Sequence, residues 1–346
     1  MIDLTGPPRP WPEALAGGFG DSVARALACS DRWSTPQSPG DPALLDRLGE
    51  LFGAPEGRTR VTGGVRSFAS AWAGRTATAI IERPSFSEVP EILAGVGPLR
   101  REPWDRMAGA AAESAGPATL WLTTPARNPD GRSLDGAALA DLAKSAEAGH
   151  QVVLNQVYRW FAPNGPVPEG VWTVTSFAKL CGGGSRLGWA VAPSAGPCDA
   201  ALRACAPSTV WQRAWADFLS GRVVAGLLAS CVEPTLDARK AFTARAAELL
   251  GWEFAGAGPS VVLVDPEPAE GPAAVGGAGA EAGALAALAA AGVSASPGAA
   301  FGMPVSSLRL AFSGASAPQA REAAERIARA VERTGFRLRP PDAFQG

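Results

Sequence analysis

Short apolar runs recur along the first two thirds of the chain, and each ends in a polar, glycine- or proline-bearing turn. ATAII precedes ERPSF, ATLWL precedes TTPARNPDG, QVVL precedes NQVY, and VWTV precedes TSFAK. Such runs suit strands buried on both faces. Between them lie helical patterns such as SLDGAALADLAKSAEAG, with Asp135 placed to cap its start and Gly149 its end. Strand, loop and helix in repetition predict an α/β domain with a mostly parallel sheet flanked by helices. Near residues 232–242 the grammar changes. A loop and an alanine-rich helix over 283–291, a short strand SLRLAF and an amphipathic helix over 318–333 predict a smaller α+β unit. The expected division is an N-terminal segment 1–40, a large domain 41–235 and a small C-terminal domain 236–346.

In open parallel sheets ligands collect at the carboxyl ends of the strands. Phe86, Asn128, Asn155 and Ser176 each fall just past a predicted strand, so four loops are expected to converge on one cleft. Charge narrows what could bind there. Net charge is −2, and the 18% charged residues are scattered in both signs, so nucleic acid and anionic membrane lack their electrostatic footprint. A small molecule is the expected partner. The five cysteines are widely spaced, with no C-x-x-C pair and no histidine cluster, which predicts buried thiols in a reducing compartment and no metal site. The opening MIDLTGPPRPWPEAL carries Asp3 and no apolar core of an export signal. Glu281 interrupts the only run resembling a membrane span, in AVGGAGAEAGALAALAAAG. The expectation is a cytoplasmic protein.

The chain uses arginine almost exclusively, and Lys144, Lys179 and Lys240 are its lysines. Lys144 and Lys240 fall on helix patterns and read as solvated. Lys179 instead follows a predicted strand in TSFAKLCGGGSRLGW, three residues after Ser176 and seven before Arg186. A lysine, a hydroxyl and an arginine on one glycine-rich turn suit a cofactor with both an aldehyde and a phosphate, the amine forming the Schiff base. That pattern points to pyridoxal 5'-phosphate (PLP).

From VTGGVRSF to SLRLAF the chain resembles the fold-type I PLP-dependent enzymes, specifically the class I/II aminotransferase superfamily with its histidinol-phosphate aminotransferase and threonine-phosphate decarboxylase branches. The GSRLGW turn is similar to the alliinase-like branch. The motifs follow the family's order over about three quarters of the chain. The resemblance implies a large PLP-binding domain and a smaller C-terminal one. It puts Gly64, Val65 and Arg66 of TGGVRSF at a helix start that holds the cofactor phosphate, an anion site of familiar physics. It puts Phe86 of ERPSF on the pyridine ring and Asn128 of RNPDG on the ring's phenolic oxygen. Ser176 and Arg186 would hold the phosphate and Lys179 the aldehyde, while Tyr158, the chain's one tyrosine, would reach the phenolic oxygen. Arg309 of SLRLAF matches the arginine that forks onto a substrate α-carboxylate, a task for a bidentate guanidinium.

Two positions depart from the family. Where it has an aspartate under the pyridine nitrogen this chain has Asn155. A carboxylate raises a neighbouring pKa by roughly one to three units, whereas an amide offers a neutral hydrogen bond worth about 0.5 to 1.5 kcal/mol. The ring becomes a poorer electron sink, which weighs against fast transamination. Trp33 stands where the family has a tyrosine that crosses the dimer to the phosphate. The resemblance therefore implies an enzyme that forms an external aldimine with an α-amino acid, with Lys179 moving protons at Cα. Its reaction is amino-group transfer in specialised biosynthesis or, because of Asn155, decarboxylation, β- or γ-elimination, or replacement. A catalytically silent PLP-binding relic is the third reading. A homodimer is implied by the family, and the tryptophans, including Trp160, hint at an apolar pocket.

Overall fold

The computed structural model describes residues 1–86, 88–196, 200–264, 278–303, 307–334 and 338–341. In chain order its strands are β1 (Ile2–Asp3), β2 (Thr59–Thr62), β3 (Thr78–Glu82), β4 (Leu99–Glu102), β5 (Ala118–Thr123) and β6 (Gln151–Asn155). They continue with β7 (Trp172–Ser176), β8 (Gly188–Val191), β9 (Ser260–Val264), β10 (Val293–Ser294), β11 (Ser296–Pro297) and β12 (Ser307–Ala311). Seven of them form one sheet in the order β2-β8-β7-β6-β5-β3-β4. The pairs from β4 across to β7 are all parallel, and β8 alone runs against its neighbours β7 and β2. This is the mostly parallel α/β sheet that the apolar runs predict.

The central strands are buried because helices cover both faces. All six residues of β5 are buried, as are the last four of β6 and of β7. The crossover helix Gly136–Glu147 starts where its sequence says it should, with the Asp135 carboxylate accepting the Ala138 N–H at 2.8 Å. Its end residue is Ala148, and Gly149 follows in the left-handed region at φ 93°.

A second core lies under the three-stranded antiparallel sheet β11-β12-β9. Leu263, Leu308 and Leu310 from its strands, with Phe312 just past β12, pack against Phe242 and Ile327 from helices Glu233–Leu250 and Ala317–Thr334. The N-terminus joins this unit: β1 pairs in parallel with β10, and Ile2 and Leu4 are buried in its core. The alanine-rich helix runs from Ala278 to Ala290, five residues earlier than the pattern suggests. Glu281 does not break it, because its buried carboxylate accepts the Ala299 N–H at 2.9 Å. Most of the loop expected ahead of it lies outside the described residues. Among the cysteines, Cys181 and Cys231 are buried as expected, but Cys29 and Cys205 are only half-buried, and Cys198 lies outside the described residues. Among the described residues no single helix is long and apolar enough to cross a membrane.

Candidate active site

The carboxyl ends of β3, β5, β6 and β7 open onto a cavity of about 300 Å³. Strand direction explains the convergence: Phe86 follows β3, Asn128 lies in the turn after β5, and Asn155 and Ser176 are the last residues of β6 and β7. Asn128, Asn155, Ser176 and Tyr158 are buried, whereas Phe86, which alone would read as core, stays 40% exposed on the cavity wall.

One end of the cavity gathers groups that can hold an anion. Gly64 caps the helix Val65–Trp72 at φ 96°, a conformation open to glycine, and a Cβ there would lie 2.9 Å from the Ser176 hydroxyl oxygen. The missing side chain leaves helix-start N–H groups beside that hydroxyl. Ser176 Oγ accepts the Ala178 N–H at 3.0 Å and donates to the Leu187 carbonyl at 3.2 Å, which fixes its position. Arg186, held at φ 42°, donates to Ser67 Oγ at 2.9 Å and lines the same space. Arg66 lines it too, but its guanidinium pairs with Glu88 at 2.6 Å.

Lys179 sits on the short helix Ala178–Cys181 that follows β7. Its ammonium lies 5.5 Å from the Tyr158 ring centre and 6.0 Å from that of Phe86. Beyond Phe86 the ring of Phe301 is 6.4 Å away, and the Arg309 guanidinium lies 5.1 Å from the Phe301 ring centre. The lysine, the phenol and the β12 arginine are thus linked across one space through two phenyl rings. Burial pulls the Arg309 pKa below its usual value, and Tyr158 partly offsets this. Its Nη1 donates to the Thr5 carbonyl at 3.4 Å, while its Nε is buried with no partner. Asn128 Oδ1 is likewise buried and unpartnered. Orphaned polar atoms on a cavity wall are what a site made for a polar ligand leaves behind.

The structure also brings in residues that motif reading passed over. Thr123, the last residue of β5, accepts from Asn155 Nδ2 at 3.3 Å, while Asn155 Oδ1 accepts the Val157 N–H at 3.2 Å. The strand-end rule would have found it. Arg9 lines the cavity from the N-terminal segment, and no sequence pattern marks it. Trp160 is not part of the wall: it packs on Phe52 and Phe177 and donates to the Ser176 carbonyl at 3.1 Å. Trp121 lines the cavity instead. Trp33 is 78% exposed and also away from it.

The family model described as aminotransferase class I and II matches residues 19–327. The chain belongs to that family. Among solved structures, a Thermus thermophilus aspartate aminotransferase double mutant shares 21% identity, with TM-score 0.73 over 95% of this chain and 91% of that one. The alpha-aminoadipate aminotransferase of Thermus thermophilus, complexed with N-(5'-phosphopyridoxyl)-L-leucine, shares 18% identity, with TM-score 0.73 over 96% and 92%. A multiple substrate aminotransferase from Thermococcus profundus shares 16%, with TM-score 0.74 over 96% and 91%. At these identities the likeness is one of fold. No curated protein matches the chain in sequence. As a class I and II aminotransferase-family enzyme the protein uses PLP. The site fits that cofactor: an anion cradle without a Cβ, a lysine amine within about 6 Å of two aromatic ring centres, and an unpartnered buried amide oxygen line one cavity.

Proposed function

We propose that the protein moves the amino group of an α-amino acid, with Lys179, Tyr158 and Arg309 as its working side chains. The observation that carries this reading is the Lys179 ammonium, 5.5 Å from the Tyr158 ring centre in the cavity that Arg309 also lines. PLP supplies an aldehyde that condenses with amines and a ring that withdraws electrons from the substrate's Cα. Gly64, Val65, Ser176 and Arg186 would hold its phosphate, with Arg66 steered there by Glu88. Phe86 and Asn155 would take the two sides and nitrogen of its ring, and Asn128 and Tyr158 its phenolic oxygen. Lys179 would hold the aldehyde, and its amine would take and return a proton at the substrate's Cα. Arg309 would fix the substrate by its carboxylate, which sets the Cα bonds relative to the ring.

Asn155 supports a second reading. Its amide is engaged by Val157 and Thr123 and brings no negative charge to the ring nitrogen. Decarboxylation, elimination or replacement then competes with transfer. The test is absorbance of the purified protein with added PLP, then with each amino acid, with keto acid, carbon dioxide and ammonia assayed as products. A yellow, borohydride-trappable species that yields keto acid supports transfer, whereas carbon dioxide or ammonia supports the second reading. A protein that stays colourless overturns both. Asn155→Asp is expected to shift the cofactor absorbance and to raise the transfer rate by roughly 10-fold or more, one pKa unit being a factor of ten. An unchanged spectrum and rate would remove Asn155 from the account.

A cytoplasmic setting and a role in specialised biosynthesis suit a family enzyme with these thiols and this departure. A homodimer suits the exposure of Trp33, the position from which relatives reach a partner. We divide the chain at 1–40, 41–235 and 236–346; the cluster of Phe242, Leu263 and Phe312 supports a separate C-terminal unit, although β1 and Leu4 pack in it.

A further inference from the structure

Glu82 takes no part in the chemistry described above, yet it stands two strands away from Asn155. β3, β5 and β6 are neighbours in the sheet, and Glu82, Thr123 and Asn155 are their last residues. All three are buried, Glu82 completely. A carboxyl is unfavourable in such a place, so the groups around it are informative. Trp104 Nε1, at the start of the helix Trp104–Ala112, donates to its Oε2 at 2.5 Å. The Arg127 guanidinium lies 3.9 Å from the centre of the Trp104 ring and is paired with Asp130, and Arg132 approaches the same ring at 5.7 Å. On β4 the register partner Glu102 is paired with Arg100 at 3.0 Å, and Asp105 and Arg106 are exposed. None of these groups lines the cavity. Thr123 does, and its main-chain N–H and hydroxyl both favour the ionised Glu82.

The direction of the hydrogen bonds along this row is fixed from its far end. The Val157 main-chain N–H can only donate, and it meets Asn155 Oδ1 at 3.2 Å. The amide therefore turns its nitrogen to Thr123, whose Oγ accepts it at 3.3 Å. With that oxygen accepting, the Thr123 hydroxyl hydrogen turns to Glu82. Donors thus point one way, from Val157 through Asn155 and Thr123 to a carboxylate that has nothing to donate while ionised. Bonds aligned in this manner polarise and strengthen one another. Asn155 Nδ2 carries two hydrogens and uses one on Thr123, which leaves the other for the cavity that Asn155 lines.

We propose that Glu82 is a positioning residue for the cofactor's ring nitrogen: acting through Thr123, it holds Asn155 with an N–H directed at that nitrogen. This rests on the role given above to Asn155. The carboxylate missing beneath the ring is present one relay further back, where it orients a donor instead of pairing with a protonated ring. A nitrogen met by a donor is kept unprotonated. When Glu82 takes up a proton it becomes a donor itself, and the last link of the row reverses. Burial raises its pKa to about 7, which puts that reversal within reach of measurement.

The test reads the nitrogen NMR shift of ring-labelled pyridoxamine 5'-phosphate bound to the full chain, a form of the cofactor with no aldehyde to titrate against Lys179. At alkaline pH the parent should show an unprotonated, hydrogen-bonded ring nitrogen, and its shift should move with a midpoint at about 7. In Glu82→Gln the shift should stay flat through that range, and affinity for pyridoxamine 5'-phosphate should fall by roughly 10-fold, the scale of one hydrogen bond. Thr123→Val should give the same flat profile, and Thr123→Ser should restore the parent's. Adding Glu82→Gln to Thr123→Val should change nothing further, because the two act as one relay. A parent whose shift does not move overturns the proposal, and that measurement depends on no variant folding. So does a ring nitrogen that is protonated at alkaline pH in the parent, or a double variant in which the two losses add. In each of those cases the cofactor still binds and only this inference is lost, whereas a protein that binds neither PLP nor pyridoxamine 5'-phosphate loses the reading beneath it too.

Discussion

The two sides of the cavity are finished to different degrees. On the sheet side several polar groups are already engaged: Ser176 with Ala178 and Leu187, Arg186 with Ser67, Asn155 with Thr123 and Val157. On the opposite side, formed by β12 and the N-terminal strap, Arg309 and Arg9 each keep a buried N–H without a partner. A side that is satisfied beforehand suits a resident group that is held throughout. A side with open donors suits a ligand that comes and goes, because each arrival supplies the missing bonds and each departure removes them. Asn128 differs from these, with an unpartnered oxygen at the spot where the family resemblance puts the cofactor's phenolic oxygen.

The strongest way to break this contrast is to remove the amine. Lys179→Ala is expected to lose the borohydride-trappable absorbance and to cost roughly 10²- to 10⁴-fold in rate, the range of a lost acid or base. Retention of a reducible adduct equal to the parent's would show that the sheet side has been misread.

Next in size is Glu82, the last residue of β3, which sits beneath the sheet side and differs from it. Its carboxyl is fully buried, and Oε2 accepts from Trp104 Nε1 at 2.5 Å. Burial pushes its pKa up to about 7, against the pull of the Arg127 charge and bonds from Thr123 and Trp104. A carboxyl whose folded pKa is raised stabilises the fold at low pH. That stability is lost as pH climbs from the ordinary value of 4.5 through about 7. Thermal melts of the parent should lose roughly 3 kcal/mol over that window, and Glu82→Gln should flatten the loss. Equal slopes for the two proteins would show that the carboxyl is better solvated than its burial implies.

Arg309→Lys sharpens the contrast from the open side. It should raise KM for amino acids by roughly 10-fold while leaving cofactor absorbance intact, since a point charge replaces a fork. A parallel loss of cofactor would mean that the two sides do not act separately. Comparable in size is Gly64→Ala, which combines a left-handed φ of 96° with a Cβ 2.9 Å from Ser176 Oγ. About 1 to 2 kcal/mol of stability should go, together with PLP affinity read by fluorescence titration. Unchanged affinity would show that the cradle does not need the missing Cβ.

Much of the sheet side was legible in the sequence. Buried parallel strands are continuous apolar runs, and a polar residue closing such a run must lie at a strand end, so Asn155 and Ser176 announce themselves. Lys179 stood out because lysines are so few, and Tyr158 because there is no other. Arg309 needed the family motif around it, since an arginine in a short strand has no local mark. Trp160 misled because an indole beside a site residue belongs as readily to the core, and here an aromatic cluster with Phe52 and Phe177 claims it.

The sequence by itself determined the elements, the parallel sheet and the order of the motifs, since these follow from periodicity and from turn chemistry within a few residues. Tertiary structure alone decided which groups share a space. Arg9 and Arg309 are separated by 300 positions along the chain, and Thr123 and Asn155 by 32. The first pair shares one cavity because the strap crosses to β12, and the second bonds because β5 lies beside β6. Whether a donor is left open also depends on every neighbour packed around it, and that is a property of the folded surroundings which no local run of residues carries.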